Sequence, residues 1–555
     1  MSNKYIPMLD WLFRYRKEWL RLDLVAGLTT AAVIIPKAMA YATIAGLPVE
    51  IGLYTAFIPM MIYAVLGTSR PLSFSTTSTI AILVAGQLAV VAPGRGPGEL
   101  VVAAATMALL VGAFLLLAGI FRMGFIANFI SDPVLTGFKA GVGLVIVVDQ
   151  VPKLLGVHFD KGPFFQTIFS IFQHLPATSV PTLLLALVTL ALVFGLEHFL
   201  PRAPAPLFAV ALGIAASGLL VLKQAGVEVV GNIPAGLPAP VLPDLSLVET
   251  LWPGALGIAL MAYIESIAVG RAFIKHGDSL PDSNRELIAL GVANLAGSFF
   301  RIIPAGGGTS QTAVNDKAGA RTQLAEVVTA GIVLAVLLFL SPLFSLMPQA
   351  TLAAVVIATT VGLLSPKEFR AILRVRYAEF WWAVIAFAGV VVLGTLQGIL
   401  VAVAISLMTL MYAANHPPIY ALGRKPGTDV FRPLSAEHPE DETFPGLLIV
   451  RTEGMMTFAS APRIKDRLWA FIEEANPRVL LVDFSAVPNI EYTALKRLGD
   501  FEEKLKEMEI TLWLAALNPK TLNVIKRSSV FTTLGYGRMF FNVEQAVETY
   551  LKIKK

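Results

Sequence analysis

The sequence predicts an α-helical polytopic membrane protein: fourteen transmembrane segments in two inverted repeats of seven, followed by a small α/β domain. Three observations lead there. Hydrophobic residues make up 56% of the 555 residues and charged ones only 15%, against roughly 45–50% and about 25% in soluble domains. From about Pro417 onward Lys, Arg, Asp and Glu return in force, so the last ~140 residues read as a separate soluble domain. Finally, Ala38-Met39-Ala40-Tyr41 in the first span recurs as Leu260-Met261-Ala262-Tyr263 in the eighth. That interval is close to seven spans, and because seven is odd the two halves cross the membrane in opposite senses.

With about 20 apolar residues needed per crossing, spans start near Leu24, Ile51, Thr76, Leu100, Phe125, Pro181, Pro206, Leu251, Glu286, Thr309, Gln323, Gln349, Ala378 and Leu396. The divisions that follow are 1–22, an amphipathic segment along the membrane surface; 23–415, the transmembrane domain; and 416–555, the soluble domain. An even number of crossings returns both ends to one side. Assigning that side to the cytoplasm puts Arg14, Arg16, Lys17, Arg21, Arg70, Arg122, Arg202, Arg271, Lys275, Arg285, Arg321, Lys367, Arg370, Arg374 and Arg376 inside. Arg95, Lys153, Lys161, Lys223 and Arg301 remain outside, a bias of about three to one in the expected direction. The expected location is the plasma (inner) membrane, with both termini cytoplasmic.

Cysteine is absent, which excludes disulfides, thiol nucleophiles and thiolate metal sites. The six histidines, His158, His174, His198, His276, His416 and His438, lack metal-ligand spacing. The net charge of +5 comes from basic residues beside the spans, where topology explains them better than nucleic acid does. No nucleic-acid partner and no cofactor are expected. Nothing pairs a nucleophile with a base, so no enzyme is predicted.

Two spans are interrupted. One breaks at Arg70-Pro71 and resumes with Ser75, Thr76, Thr77, Ser78 and Thr79; the other breaks at 304–308 and resumes with Thr309, Ser310, Gln311 and Thr312. In lipid, backbone leaves helical geometry only where protein or water satisfies it. Each resumed helix presents unpaired N–H groups and a positive dipole end, which suit an anion. Paired discontinuous helices at matching positions of inverted repeats place a substrate near the bilayer midplane. The expected anion contacts are Thr76, Thr77, Ser78, Thr309, Ser310 and Gln311, the alternative being hydroxyl capping alone. Gly306-Gly307-Gly308 lacks the phosphate-loop pattern.

Two charges sit inside spans. An ammonium such as Lys37 within a span costs at least ~2.5 kcal/mol and faces a cavity or a partner; an ion pair with Glu265 is the structural alternative. Glu265, drawn one way by burial and the other by cations, is the candidate coupling residue, able to exchange a proton with the transport state. Asp132, Lys139, Asp149 and Glu326 read as interhelical pairing residues. In the tail, 447–451, 479–484 and 510–517 are strand-like. The segments 462–475 and 493–508 are amphipathic helices, a further helix starts at Asn518-Pro519, and 542–551 forms the last.

The runs Pro36-Lys37-Ala38-Met39-Ala40-Tyr41-Ala42, Ala45-Gly46-Leu47-Pro48, Gly52-Leu53-Tyr54 and Gly67-Thr68-Ser69-Arg70 resemble the signature of the SulP family of anion transporters. So do Asn284-Arg285-Glu286-Leu287, Gly291-Val292-Ala293-Asn294, Thr312-Ala313-Val314-Asn315 and Ala318-Gly319-Ala320-Arg321-Thr322-Gln323. The tail resembles a STAS domain. The resemblance implies a core and a gate domain, a homodimer, elevator-like transport or exchange of a small anion, and walls from the first and eighth spans, with Tyr41 at an aromatic site-lining position. Sulfate, bicarbonate and dicarboxylates are the candidate substrates, with H⁺ or Na⁺ as coupling ion; the resemblance implies that Na⁺ would be held by Glu265 with hydroxyls and carbonyls of the tenth span. An anion channel is the alternative function, and a nucleobase carrier a remoter one. The chain departs from the family at Lys37, where glutamine is common; at Gln311, where arginine is; at Ser75-Thr76 for Gly-Pro; and at Thr77 for an aromatic. The cationic charge is therefore expected to have moved to Lys37. In the tail, Glu491-Tyr492-Thr493-Ala494 replaces the Asp-Ser-Ser-Gly phosphorylated in bacterial STAS proteins. Thr493 is thus a candidate phosphorylation site, or simply a helix cap.

Overall fold

The protein was analysed as a computed structural model, which describes residues 7–553 apart from 14, 92–95, 129–130, 160–161, 201–203, 221, 232 and 275–279. Arg14, Arg95, Lys161, Arg202, Lys275 and His276, used above in the charge and metal readings, lie outside the described residues, as do 1–6 of the amphipathic start. The chain divides into two compact units, Met1–Ser406 and Leu407–Lys555.

The first unit is helical. Its principal helices in chain order are α1 (Lys17–Ile44), α2 (Val49–Leu66), α3 (Ser78–Val91), α4 (Pro97–Ile120), α5 (Asp132–Leu155), α6 (Val180–Phe199) and α7 (Ala205–Leu219). They continue with α8 (Val248–Ala272), α9 (Ser283–Gly297), α10 (Thr309–Lys317), α11 (Leu324–Ala335, prolonged through a π turn), α12 (Gln349–Val361), α13 (Tyr377–Leu393) and α14 (Thr395–Asn415). Among the described residues, eight helical stretches are long and apolar enough to cross a membrane, and shorter apolar helices include Ser78–Val91, Ala205–Leu219 and Tyr377–Leu393. Two further helices, Phe164–His174 and Pro366–Val375, are amphipathic.

Helix packing repeats itself after seven helices. The contact of α1 with α11 is matched by α8 with α4, α1 with α10 by α8 with α3, α2 with α11 by α9 with α4, and α5 with α13 by α12 with α6. Each of α1 to α6 and the helix seven places later thus play the same part in the other half. Local chemistry sets the ends. The α1–α2 turn needs Gly46, whose φ of +74° is left-handed backbone that favours glycine. The first span starts at Lys17 rather than Leu24, because its opening turns are charged yet helical. The fifth starts at Asp132 rather than Phe125: Met123–Asn128 is a 3₁₀ turn, and Pro133 in the first turn fixes the start of α5.

The second unit is a six-stranded sheet. Strands β3 (Ile419–Arg424), β4 (Phe431–Pro433), β5 (Leu447–Thr452), β6 (Val479–Asp483), β7 (Thr511–Ala515) and β8 (Met539–Phe540) are ordered β4-β3-β5-β6-β7-β8. Neighbours from β5 to β8 pair in parallel, while β3 and β4 are antiparallel additions. Strand periodicity decides the layers. Leu480, Val482, Leu512 and Leu514 share a core with Ile464, Leu468, Leu498 and Leu505 of helices Ala461–Ala475 and Tyr492–Glu507. Leu481, Trp513 and Ala515 face Ala546, Val547 and Tyr550 of Val543–Ile553 on the other side. Asn518 Oδ1 caps helix Pro519–Lys526 by accepting from Thr521 N at 3.0 Å. The residue at the cap of Tyr492–Glu507 is Glu491, not Thr493, which lies exposed in the first turn.

Arg432 grips Asp441 with Nε–Oδ2 and Nη2–Oδ1 contacts of 2.8 Å each. Its hydrogen bonds and charge hold the Asp441 carboxyl below the usual carboxylate range. The stabilisation is therefore complete above the unfolded-state pKa of about 3.9 and is lost as pH falls through the lower folded value. In thermal melts of the full chain, the transition of this unit should fall on acidification below about pH 4, and Asp441→Asn should reduce that dependence.

Candidate functional site

The two helix interruptions meet. Strand β1 (Phe74–Ser75) pairs antiparallel with β2 (Gly306–Gly307), Phe74 opposite Gly307 and Ser75 opposite Gly306. This ladder gives the broken backbone partners inside the protein. Glycine is required in β2: a Cβ on Gly307 would lie 2.8 Å from Leu72 Cδ1 and 2.9 Å from Ser266 Cα, and one on Gly306 would lie 2.6 Å from Ile80 Cδ1. Side-chain amides brace the crossing. Asn294 Oδ1 accepts from Ala305 N at 2.7 Å and Asn315 Nδ2 donates to Pro71 O at 3.1 Å. Gln323 Nε2 donates to Ser69 O and Leu72 O at 2.7 and 3.0 Å. Gly307 N donates to Ser266 Oγ at 2.7 Å.

Helices α3 and α10 resume from this ladder. Their first backbone bonds run from Ala81 N to Thr77 O at 2.9 Å and from Thr312 N to Gly308 O at 3.0 Å, so the preceding amides have no acceptor in their own helix. In α3 one of these is capped, Ile80 N donating to Thr77 Oγ1 at 3.3 Å.

The candidate side chains gather around the two helix starts. Lys37, 5% exposed beside Pro36, donates from Nζ to Ser310 Oγ at 2.9 Å. Its charge is felt by Glu197 of α6; the ion pair with Glu265 that the sequence leaves open is not formed among the described residues. Glu265 takes its hydrogen bonds from the start of α3: Thr77 Oγ1 donates to Oε2 at 3.1 Å and the Thr79 hydroxyl also bonds it. Tyr41 is buried, with its hydroxyl against Ser78 and Thr359. Thr76 is fully buried, and its hydroxyl has no hydrogen-bond partner among the described residues. Gln311 turns back: its Nε2 donates to Ser73 O at 3.2 Å and Ser75 Oγ at 2.9 Å, so its amide supports β1.

Thr309 opens onto a cavity of about 580 Å³ whose wall includes Thr136, Lys139, Ala268, Leu363 and Ser365. Lys139, which the sequence reading took for an interhelical pairing residue, lines this cavity, and its charge reaches Glu265. Acidic Asp132 and Glu368 lie at the same wall. Asn294, Asn315 and Gln323 carried no assigned role in the sequence. Their signal was an amide side chain inside an apolar span, but the backbone each one serves is distant in sequence.

Several donors and one carboxyl thus surround two helix amino ends, an arrangement whose electrostatics suit negative charge. Comparison with known proteins agrees. The profile of the sulfate permease family matches residues 20–386, and that of the STAS domain matches 438–546. A probable sulfate transporter of Mycobacterium tuberculosis is 34% identical over 99% of this chain and 98% of its own length. Sulfate transporter 4.1, chloroplastic, of Arabidopsis thaliana is 32% identical over 98% of this chain and 82% of its own. Among solved structures, the murine Solute Carrier 26 family member A9 anion transporter in the inward-facing state aligns with a TM-score of 0.90 at 25% identity, over 98% of this chain and 94% of the other. The transmembrane domain of the cyanobacterial bicarbonate transporter BicA aligns with a TM-score of 0.60 at 25% identity, over 70% of this chain and 98% of the other. The chain is therefore a multi-pass membrane protein that belongs to the sulfate permease family of anion transporters and carries a STAS domain.

Proposed function

We propose that the protein is a secondary active transporter of a small oxyanion, with sulfate as the first candidate and bicarbonate and dicarboxylates as the others. The observation that carries this reading is the joint placement of the Lys37 ammonium on Ser310, at the start of α10, and the unpartnered Thr76 hydroxyl just before α3. A tetrahedral oxyanion accepts several hydrogen bonds at once, which suits hydroxyls and helix amides converging from two sides. Relatives named as sulfate transporters support the choice.

Transport runs by an elevator-like displacement of the helices that carry the anion against those that flank them, in a homodimer within the plasma (inner) membrane with both termini cytoplasmic. On that orientation the Lys139 cavity, at the start of α5 and the end of α12, faces the cytoplasm and passes the anion to Thr309. Residues 23–415 carry transport and 416–555 form the STAS domain, where exposed Thr493 is open to phosphorylation. Glu265 couples transport to H⁺ or Na⁺, since its carboxyl bonds the same α3 turn that receives the anion.

Uptake of labelled sulfate, bicarbonate and dicarboxylates into proteoliposomes, with proton and sodium gradients imposed separately, tests this. One anion should accumulate above equilibrium under one of the two gradients. Glu265→Gln should abolish the accumulation while leaving anion exchange. Large unitary currents without accumulation would favour a channel and overturn the reading.

A further inference from the structure

Among the described residues of the first unit, three carboxyl groups other than Glu265 are buried, and their hydrogen bonding differs sharply. Asp23 accepts four bonds: Arg321 N at 2.7 Å and Thr322 N at 3.1 Å on Oδ1, Thr322 Oγ1 at 2.7 Å and Tyr15 OH at 3.2 Å on Oδ2. Glu286 also accepts four, from Tyr63 OH at 2.9 Å, Thr68 N at 2.7 Å, Thr68 Oγ1 at 2.5 Å and Ser69 N at 3.1 Å. Such sets of donors replace the water an ionised carboxylate loses. Glu326 is different. It is 0% exposed, Ser73 Oγ donates to its Oε2 at 2.9 Å, and its Oε1 has no partner.

An ionised carboxylate so placed lacks most of its donors, and no cation stands within 4 Å among the described residues. Leaving such a charge unpaired costs several kcal/mol. The opposing influence is the amino end of α11, where Glu326 occupies the first turn and the dipole favours negative charge. The titratable and charged groups on the elements packed around it are Asp23 of α1, Tyr63 of α2 with Glu286 of α9 behind it, Arg70 in the loop before β1, Asp316 and Lys317 in the last turn of α10, and Arg321 between α10 and α11. Of these, Asp23 and Glu286 are committed to the donors named above.

Ser73 ties this carboxyl to the anion pocket. Its hydroxyl bonds Glu326, its N donates to Thr312 Oγ1 at 3.0 Å, and its carbonyl accepts from Gln311 Nε2 at 3.2 Å and Gly308 N at 3.1 Å. One residue therefore touches Glu326 on one side and the cap and first turn of α10 on the other. We propose that Glu326 is a second proton-binding site, separate from Glu265, whose proton occupancy is linked through Ser73 to anion binding at the start of α10. The link to anion binding rests on the proposed site; the proton site itself does not. An arriving anion adds negative charge beside the ladder and opposes ionisation of Glu326, so a proton from solvent adds to the Glu326 carboxylate. By reciprocity, a lower pH tightens anion binding.

The test uses the purified full-length protein. Infrared difference spectra across a pH change, recorded without anion, should show a protonated carboxyl C=O band that Glu326→Gln removes and Glu265→Gln leaves. Isothermal titration with sulfate, in buffers of different ionisation enthalpy, then counts protons taken up per anion. Glu326→Gln should lower that count and flatten the pH dependence of the sulfate Kd, while changing the Kd at low pH by no more than about threefold. Ser73→Ala should keep the infrared band but lose the pH dependence. Superimposable wild-type and Glu326→Gln spectra would overturn the proton site. An intact band with no sulfate binding would instead overturn the proposed anion site.

Discussion

Replacing Lys37 by glutamine is expected to weaken anion binding about 10- to 100-fold, because hydrogen bonds to a charged group contribute about 1.5–3 kcal/mol and each 1.4 kcal/mol is tenfold. The ammonium is 5% exposed, with its nitrogen 2.9 Å from Ser310 Oγ, so it is held where α10 begins and not left to reach for lipid headgroups. Burial there is costly, and an anion in contact relieves the cost by pairing with the charge. Glutamine keeps a donor and much of the length but removes the charge, so the loss should appear in Kd and KM more than in the amount of folded protein. Equilibrium binding and proteoliposome uptake check this. Unchanged affinity for every transported anion would show that Lys37 does not contact the substrate.

A valine at Gly307 should reduce transport by about 100-fold or more, since displacing positioning groups by even about 1 Å carries penalties of that order. The first added carbon would already sit 2.9 Å from Ser266 Cα and 2.8 Å from Leu72 Cδ1. The Ser266 contact is backbone and cannot rotate away. Relief requires β2 to move, which breaks its pairing with Phe74 and Ser75 and the bond from Gly307 N to Ser266 Oγ. Overpacking of this kind costs about 1–3 kcal/mol in stability, and the displaced α10 amino end costs function in addition. Gly331→Ala is the control: nothing lies within 4 Å of its added carbon, and a helical glycine-to-alanine change is favourable in itself. Uptake and melting temperature should fall together for Gly307→Val and hold for Gly331→Ala.

The interruptions were legible in the sequence because Arg70-Pro71 and the glycines at 306–308 break hydrophobic runs, and α10 begins at Thr309 as the pattern indicates. Helix α3 begins at Ser78, not Thr76. Ser75 is drawn into strand pairing with Gly306, a partner more than two hundred residues away that local hydropathy cannot register. Gln311 could be recognised as a polar residue at a helix start, but only the packed structure shows its amide spent on Ser73 and Ser75. The cavity that Lys139 lines was hidden for a related reason: it is made jointly by α5, α8, α10 and the segment after α12, which no single helix reveals. In the second unit, apolar runs at 479–484 and 510–517 mark strands covered on both faces. Strands β3 and β4 were missed: β3 ends on Arg424 and the three-residue β4 centres on Arg432, both ion-pair residues, so neither offers a long apolar run.

Diffraction from crystals soaked in selenate, a heavier tetrahedral oxyanion, gives the most direct measurement. An anomalous selenium peak is expected at the two helix starts, bounded by Thr76, Lys37 Nζ and Ser310, and it should weaken in crystals of Lys37→Gln. A peak elsewhere, with these groups turned toward one another and closed off, would contradict the account.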